Sequence, residues 1–224
     1  MRIATVVIDN PNGEGNLLNP TVVAGITDEL LAADAAEDVT GVILTGAGEV
    51  FCSGIDIPAI QAGGDPVEFS TALVGLLKLI PTLGTPIVAA VNGNAVASGA
   101  SLVAVCDYAV AVPGIALGTR EVGLGIWPMV AQVPLIQRLG VRFAMENVGS
   151  GEPFTPQRAL EVGLINEIAD VDGLIPAAEA WLAKAARGGA IVRVGRPAFY
   201  RFAELSYEDA LDASIELFAQ MNRR

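Results

Sequence analysis

The stretch Pro86 to Asp107 reads PIVAAVNGNAVASGASLVAVCD. Ile87 to Val91 is apolar, rich in β-branched residues and of strand length, so it predicts a buried strand. Asn92-Gly93-Asn94 ends that run with residues that tolerate turn geometry. Ala97-Ser98-Gly99-Ala100-Ser101 are small enough to let backbone approach backbone or ligand. Leu102, Val103, Val105 and Cys106 then read as the buried part of a helix starting near Ser98. A strand feeding a helix through a tight turn aims unpaired N–H groups, and the positive end of the helix dipole, at one point. Such a point binds a phosphate or a developing oxyanion.

Working outward, the N-terminal half alternates strands and helices. Ile3 to Ile8 predicts a first strand and Pro11 to Gly15 a loop. Asn19-Pro20 starts a helix with Val23, Ile26 and Leu30 on one face. Thr40 to Thr45 predicts a second buried strand, Gly46 to Gly54 a loop of small residues, and Asp56 with Pro58 a short helix. Asp65-Pro66 opens a helix whose Phe69, Leu73, Leu76 and Ile80 recur at helical spacing. After Asp107, Tyr108 to Val112 and Ile115 to Gly118 predict strands, and Trp127-Pro128 precedes a helix toward Leu139. Thr155-Pro156 caps a helix that Gly163 ends, and Leu164 to Ile168 predicts a short strand. The last third turns helical: Val171 to Ala186, a segment around Arg196-Pro197, and Ser206 to Met221. In that last helix Ser206 and Asp209 make a capping-box variant, and Leu211, Ile215 and Phe218 an apolar stripe. The fold class is therefore an α/β core over 1–186 with a C-terminal helical region over 187–224.

Composition narrows the chemistry. With 224 residues, 52% hydrophobic and 17% charged, the chain suits one well-buried domain with a small appendage. The uncharged stretch from Leu79 to Cys106 is too interrupted by Pro81, Gly84, Pro86 and Asn92-Gly93-Asn94 to span a membrane. Nor does the start read as a secretory signal, and the expectation is a soluble, cytoplasmic protein. A net charge of −12 argues against nucleic acid as partner, so an anionic ligand must be held by local amides and a few cations. Cys52 and Cys106 are expected to be buried small hydrophobes. The absence of histidine removes Ser–His and Cys–His catalysis and leaves acid–base work to carboxylates, Lys or Tyr. Asp56 and Asp107 read as caps or turn residues rather than acids.

One echo stands out. VILTGAGEVFCSG (42–54) and VAAVNGNAVASG (88–99) both run strand, turn, then Ser-Gly. Two such units can present two backbone amides to one oxygen.

These segments, with PIVAAVNGNAVASGASLVAVCDYAVA and ALGTREVGLGIWP, resemble the enoyl-CoA hydratase/isomerase, or crotonase, family. The similarity runs from about the first strand to the end of the chain. It implies a crotonase-like spiral of ββα units, assembly as a homotrimer or hexamer, and an acyl-CoA thioester as substrate. No cofactor beyond the CoA moiety, and no metal, is implied. Carried over by position, the oxyanion-hole amides are those of Ile55 and Ser98. Hydratases of the family carry two glutamates. The first position is Ser101 here; the second is Glu121. Serine unaided is no general base at neutral pH. A single carboxylate suffices to move a proton from C2 to C4 of a 3-enoyl-CoA, and the family's Δ3,Δ2-enoyl-CoA isomerases resemble this pattern. Ser101 then keeps the site small and dry. Trp127 reads equally as a wall of the acyl pocket or as core packing. A hydratase with water placed by Ser101 or another carboxylate, and a non-catalytic acyl-CoA-binding paralogue, remain alternatives. A Ser98 nucleophile of the spiral proteases' kind would need Lys78 or Lys184 as base. Family members commonly continue past a helix like the one running here to Met221-Asn222-Arg223-Arg224. The added segment of those members can cover a site or touch the neighbouring subunit, so assembly, site closure and any cationic contact to the CoA phosphates are the expectations of the resemblance that this departure puts in doubt.

Overall fold

Capped amphipathic segments and apolar β-branched runs alternate along the chain, and each becomes an element of the computed structural model, which describes residues 2–222. Arg223 and Arg224, expected at the end of the last helix, lie outside the described residues. In order the elements are β1 (Arg2–Ile8), α1 (Pro20–Ala35), β2 (Val39–Gly46), β3 (Val50–Cys52), α2 (Ile57–Gln61), α3 (Pro66–Leu79), β4 (Ile87–Val91), β5 (Asn94–Val96) and α4 (Ser98–Val105). There follow β6 (Tyr108–Ala111), β7 (Leu117–Gly118), α5 (Gln132–Ser150), α6 (Pro156–Val162), β8 (Glu167–Ile168), α7 (Leu174–Ala185), α8 (Ala190–Ala203) and α9 (Tyr207–Met221). The helix starts are chemically marked: the side chains of Asn19, Asp56, Asp65, Thr155 and Ser206 each accept an N–H of the first turn.

The strands form two parallel sheets, β1-β2-β4-β6-β8 and β3-β5-β7. Each turn of chain lays one strand on the larger sheet and the next on the smaller: β2 then β3, β4 then β5, β6 then β7. The result is a spiral in which successive turns stack in register, Val42 against Ile87 and Val88 against Tyr108. Both faces of the larger sheet are covered, as an all-parallel sheet requires. One face packs against α1, α3 and α4; on the other, Ile43, Val88, Ala90 and Val110 meet Leu174, Ala178 and Leu182 of α7. Asn92 stitches one turn to the next. Its Nδ2 donates to Gly46 O (3.0 Å) and Gly48 O (2.8 Å), and its Oδ1 accepts from Gly46 N (3.0 Å).

Several boundaries correct the sequence reading. Gly46 to Gly54, expected as a loop, contains β3, and Asn94, expected in a turn, opens β5. Three-residue strands carry too little periodicity to be seen locally; they exist because they pair with each other. The strands expected over 115–118 and 164–168 shrink to β7 and β8. The helix after Trp127-Pro128 starts at Gln132 and runs on past Leu139 to Ser150. A break at Gly140 (φ 72°, ψ 163°) divides it.

Asp107 is more than a turn residue. Its Oδ2 accepts from Ile87 N (2.7 Å), and its carboxylate takes Arg196 Nε (2.8 Å) and the Tyr200 hydroxyl (2.7 Å). Arg196, 7% exposed, also donates to Ile80 O (2.8 Å) and Leu83 O (2.5 Å), so α8 is docked on the core by a buried ion pair. Arg193 adds bonds to Thr85 Oγ1 (2.8 Å) and to Asp34 O. Among the described residues no helix is long and apolar enough to cross a membrane.

Candidate active site

The smaller sheet gathers the candidate residues. Its three strands are parallel, so their C-terminal ends lie at one edge, the place where open parallel sheets present ligand-binding loops. Ile55 follows β3, Ser98 follows β5 and Glu121 follows β7. Since β5 is the central strand, Ser98 stands between the other two turns.

The two Ser-Gly turns touch. A Cβ built on Gly54, which adopts φ 95°, would lie 2.6 Å from the Ala97 Cβ and 3.3 Å from Ser98 N. A Cβ on Gly99 would lie 2.2 Å from Cys52 O. Glycine is therefore demanded at both positions by contact between consecutive turns of the spiral. The Gly54–Asp56 segment runs beside Leu18: Leu18 N donates to Gly54 O (2.8 Å), and Asp56 N donates to Leu18 O (2.9 Å). Peptide groups alternate in direction along an extended chain, so these two bonds turn the intervening Ile55 N–H away from Leu18. The Ser98 N–H opens α4 and precedes any intrahelical acceptor. Among the described residues neither amide has a hydrogen-bond partner in the protein.

Ala97, between β5 and α4, holds φ 53° and ψ −126°, a region an alanine rarely enters. Its N–H donates to Gly118 O (3.0 Å) and its carbonyl accepts from Ala100 N (3.1 Å). Those two bonds fix the peptide that carries the Ser98 N–H.

Glu121 is half-buried at the start of a 3-10 turn spanning Glu121–Leu124. Its Oε2 accepts from Arg120 N (2.8 Å), which anchors one carboxylate oxygen on its own loop. The loop is itself held by a residue the sequence reading did not single out. Asn147, 1% exposed on α5, accepts from Thr119 N (2.7 Å) and donates to Thr119 O (2.8 Å) and Glu152 O (2.9 Å). The only sequence signal was an asparagine on the apolar side of an amphipathic helix.

Ser101 is fully buried, and its hydroxyl donates to Ala131 O (2.9 Å), tying α4 to the start of α5. Trp127 is 44% exposed in the single chain, and its indole N–H donates to Gln132 Oε1 (2.9 Å). Asp56 serves as the cap of α2, as expected. Cys52 and Cys106 are buried and unpaired, and burial raises both thiols to about 12. They are packing groups, not nucleophiles.

Comparison with known proteins agrees with this arrangement. The sequence profile described as enoyl-CoA hydratase/isomerase matches residues 1–224. Enoyl-CoA hydratase domain-containing protein 3, mitochondrial, of Rattus norvegicus is 30% identical over 204 residues, covering 89% of this chain and 67% of the relative. A putative enoyl-CoA hydratase of Thermus thermophilus is 31% identical over 172 residues, 75% of this chain and 68% of the relative. The crystal structure of enoyl-CoA hydratase from Bacillus anthracis superposes with a TM-score of 0.88 at 26% identity, over 97% of this chain and 86% of that one. Spiral topology, paired Ser-Gly turns and whole-length similarity lead to one conclusion: the chain belongs to the enoyl-CoA hydratase/isomerase family, with the crotonase fold.

Proposed function

We propose that the protein shifts the double bond of a 3-enoyl-CoA to the 2-position, with Glu121 as the single proton shuttle. The Glu121 carboxylate removes a proton from C2. The electron pair of the broken C2–H bond forms a C1–C2 double bond as the thioester C=O pair moves onto oxygen, giving a dienolate that keeps the C3–C4 double bond. The Ile55 and Ser98 amides donate to that oxygen, each contributing about 3–4 kcal/mol by analogy with other oxyanion holes. Glu121 then returns the proton to C4 as the charge collapses into a conjugated 2-enoyl thioester. With Oε2 anchored on Arg120 N, Oε1 is the oxygen left to move the proton.

The observation that carries this reading over hydration is Ser101. Hydration asks for a second acid–base group to activate water, and in the family's two-glutamate pattern its place is the one Ser101 occupies. Here the hydroxyl hydrogen is already committed to Ala131 O at 2.9 Å, and the side chain is fully buried. Trp127 belongs to the same reading as a wall beside Glu121. Residues 187–224 are its assembly region, in a cytoplasmic homotrimer or pair of trimers. The apolar stripe of α9 supports that role, since Leu211, Ile215 and Phe218 are all exposed in the single chain.

The test is a paired assay of wild-type protein. It should convert a 3-enoyl-CoA to the conjugated isomer and leave a 2-enoyl-CoA unhydrated at comparable enzyme levels. Faster water addition to the 2-enoyl substrate would make the protein a hydratase. Binding without turnover of either would make it a carrier.

A further inference from the structure

We infer that the protein grips its substrate by the acyl thioester and the neutral pantetheine arm, and leaves the phosphorylated nucleotide of CoA in solvent. The inference rests on the reading of Ile55 and Ser98 as donors to the thioester oxygen and of Glu121 as the group at C2. That reading fixes the direction in which the carrier leaves. In the smaller sheet β5 is central, so Glu121, after β7, and Ile55, after β3, stand on opposite sides of Ser98. The trigonal thioester carbon holds C2 and sulfur on the two sides of its C=O axis. With C2 turned toward Glu121, sulfur turns toward β3, and the carrier runs out over that edge.

Beyond β3 lie residues 15–18, which run beside the first Ser-Gly turn. Ser53 N donates to Gly15 O (3.0 Å), and Leu18 bridges to Ile55. Asn10 ties the preceding loop to the same border, its Nδ2 donating to Asp56 Oδ2 (3.3 Å). α2 begins next to it, at Ile57. An arm built of amides, a hydroxyl and methyl groups finds partners here. Ile57 is 46% exposed, Asn12 is exposed and Ser53 is partly so.

Phosphates find the opposite. From residue 3 to residue 77 the chain has eleven Asp and Glu and no Lys or Arg, whereas its other residues hold 14 acids and 13 cations. Nearly the whole net charge of −12 therefore sits on the segment that carries β3 and its border. Asp9 and Glu14 are exposed on the loop before residues 15–18, and Asp65 and Glu68 are exposed just after α2. Asp9, Glu29 and Glu68 line a hollow of about 580 Å³ against Ala59 of α2, with no Lys or Arg in its wall. The nucleotide of CoA adds a diphosphate and a 3′-phosphate, about four negative charges near neutral pH, and this field repels them. Pantetheine adds no charge at all.

Calorimetric titration of the full chain, in its solution assembly, with butanoyl-CoA and S-butanoylpantetheine tests this without requiring turnover. The CoA thioester should bind no more than about threefold tighter than the pantetheine thioester, and added salt should strengthen its binding while leaving the neutral ligand unchanged. Asp9→Lys/Glu14→Lys should shift the preference several-fold toward the CoA thioester and make its binding weaken with salt. A wild-type preference for the CoA thioester of tenfold or more, lost as salt is added, would overturn the inference. It would show that cations from elsewhere in the chain, or from a neighbouring copy, hold the phosphates. An unaltered preference in the variant would overturn it too, by placing the nucleotide away from this edge. Turnover of the matching pair of 3-enoyl thioesters separates the inference from the catalytic reading. Equal binding of both carriers with neither converted upholds the inference and removes the isomerase; conversion of the CoA thioester with no binding of the pantetheine thioester does the reverse.

Discussion

Ala97 shows how a single residue can hold a reactive geometry at a cost. Its positive φ, in a residue with a side chain, stores strain of the order of 1–3 kcal/mol, directly before the Ser98 amide. Ala97→Gly relieves that strain, offset by roughly 0.5–1 kcal/mol of extra chain entropy. The variant should melt at the same or a higher temperature, as thermal unfolding will show; a drop of several degrees would mean that the alanine is unstrained. Asn147 works through its neighbours. It satisfies both backbone groups of Thr119, two residues before Glu121. Asn147→Leu should orphan those groups at about 1–3 kcal/mol each. It should also lower kcat more than it raises KM, because the Glu121 loop loses its anchor while the amide pair stays. Denaturant unfolding and steady-state kinetics read the two effects separately; an unchanged kcat would assign Asn147 to stability alone.

At the scale of elements, the long strands and capped helices were legible in the sequence because each carries its own signal. Asn19-Pro20, Asp65-Pro66 and Thr155-Pro156 announce helices, and Ile87 to Val91 announces a buried strand. The strands β3 and β5 were not legible, since their reason for existing is each other. The echo of VFCSG and AVASG was the only trace of their pairing. Site residues behaved the same way. Ile55, Ser98 and Glu121 came from the family resemblance, whereas Asn147 and Arg196 act through contacts that no local pattern encodes. Arg196 fastens α8 through Asp107, a pair only 5% and 12% exposed at its side chains. Breaking a buried pair strands the surviving charge, so Asp107→Asn should cost about 3–5 kcal/mol. A shift of the denaturant midpoint measures it, and a loss under about 1 kcal/mol would mean that the carbonyls of Ile80 and Leu83 suffice to hold Arg196.

For the whole molecule, burial sets the alkaline limit. Cys52 and Cys106 rise from 9.0 to about 12 because the folded core disfavours a thiolate. Their contribution to stability is complete below pH 9. It is lost between pH 9 and 12, because the unfolded chain releases these protons first. The slope is about 1.4 kcal/mol per pH unit for each thiol, and Tyr200, raised chiefly by burial and then by Asp107, adds to it above pH 10. Urea unfolding across that range should show the decline, shallower in Cys52→Ala/Cys106→Ala; equal slopes would mean that the thiols do not govern it. The spiral that buries these thiols also sets Ile55, Ser98 and Glu121 at the ends of adjacent parallel strands, which is the central claim for function. Single-turnover conversion of a 3-enoyl-CoA by wild type and Glu121→Gln tests it most directly, with affinity for a saturated acyl-CoA measured in parallel. The account predicts a rate lower by about 10²–10⁴-fold in the variant, as loss of a general base gives, with affinity within roughly threefold. A variant that isomerises as fast as the wild type would contradict it.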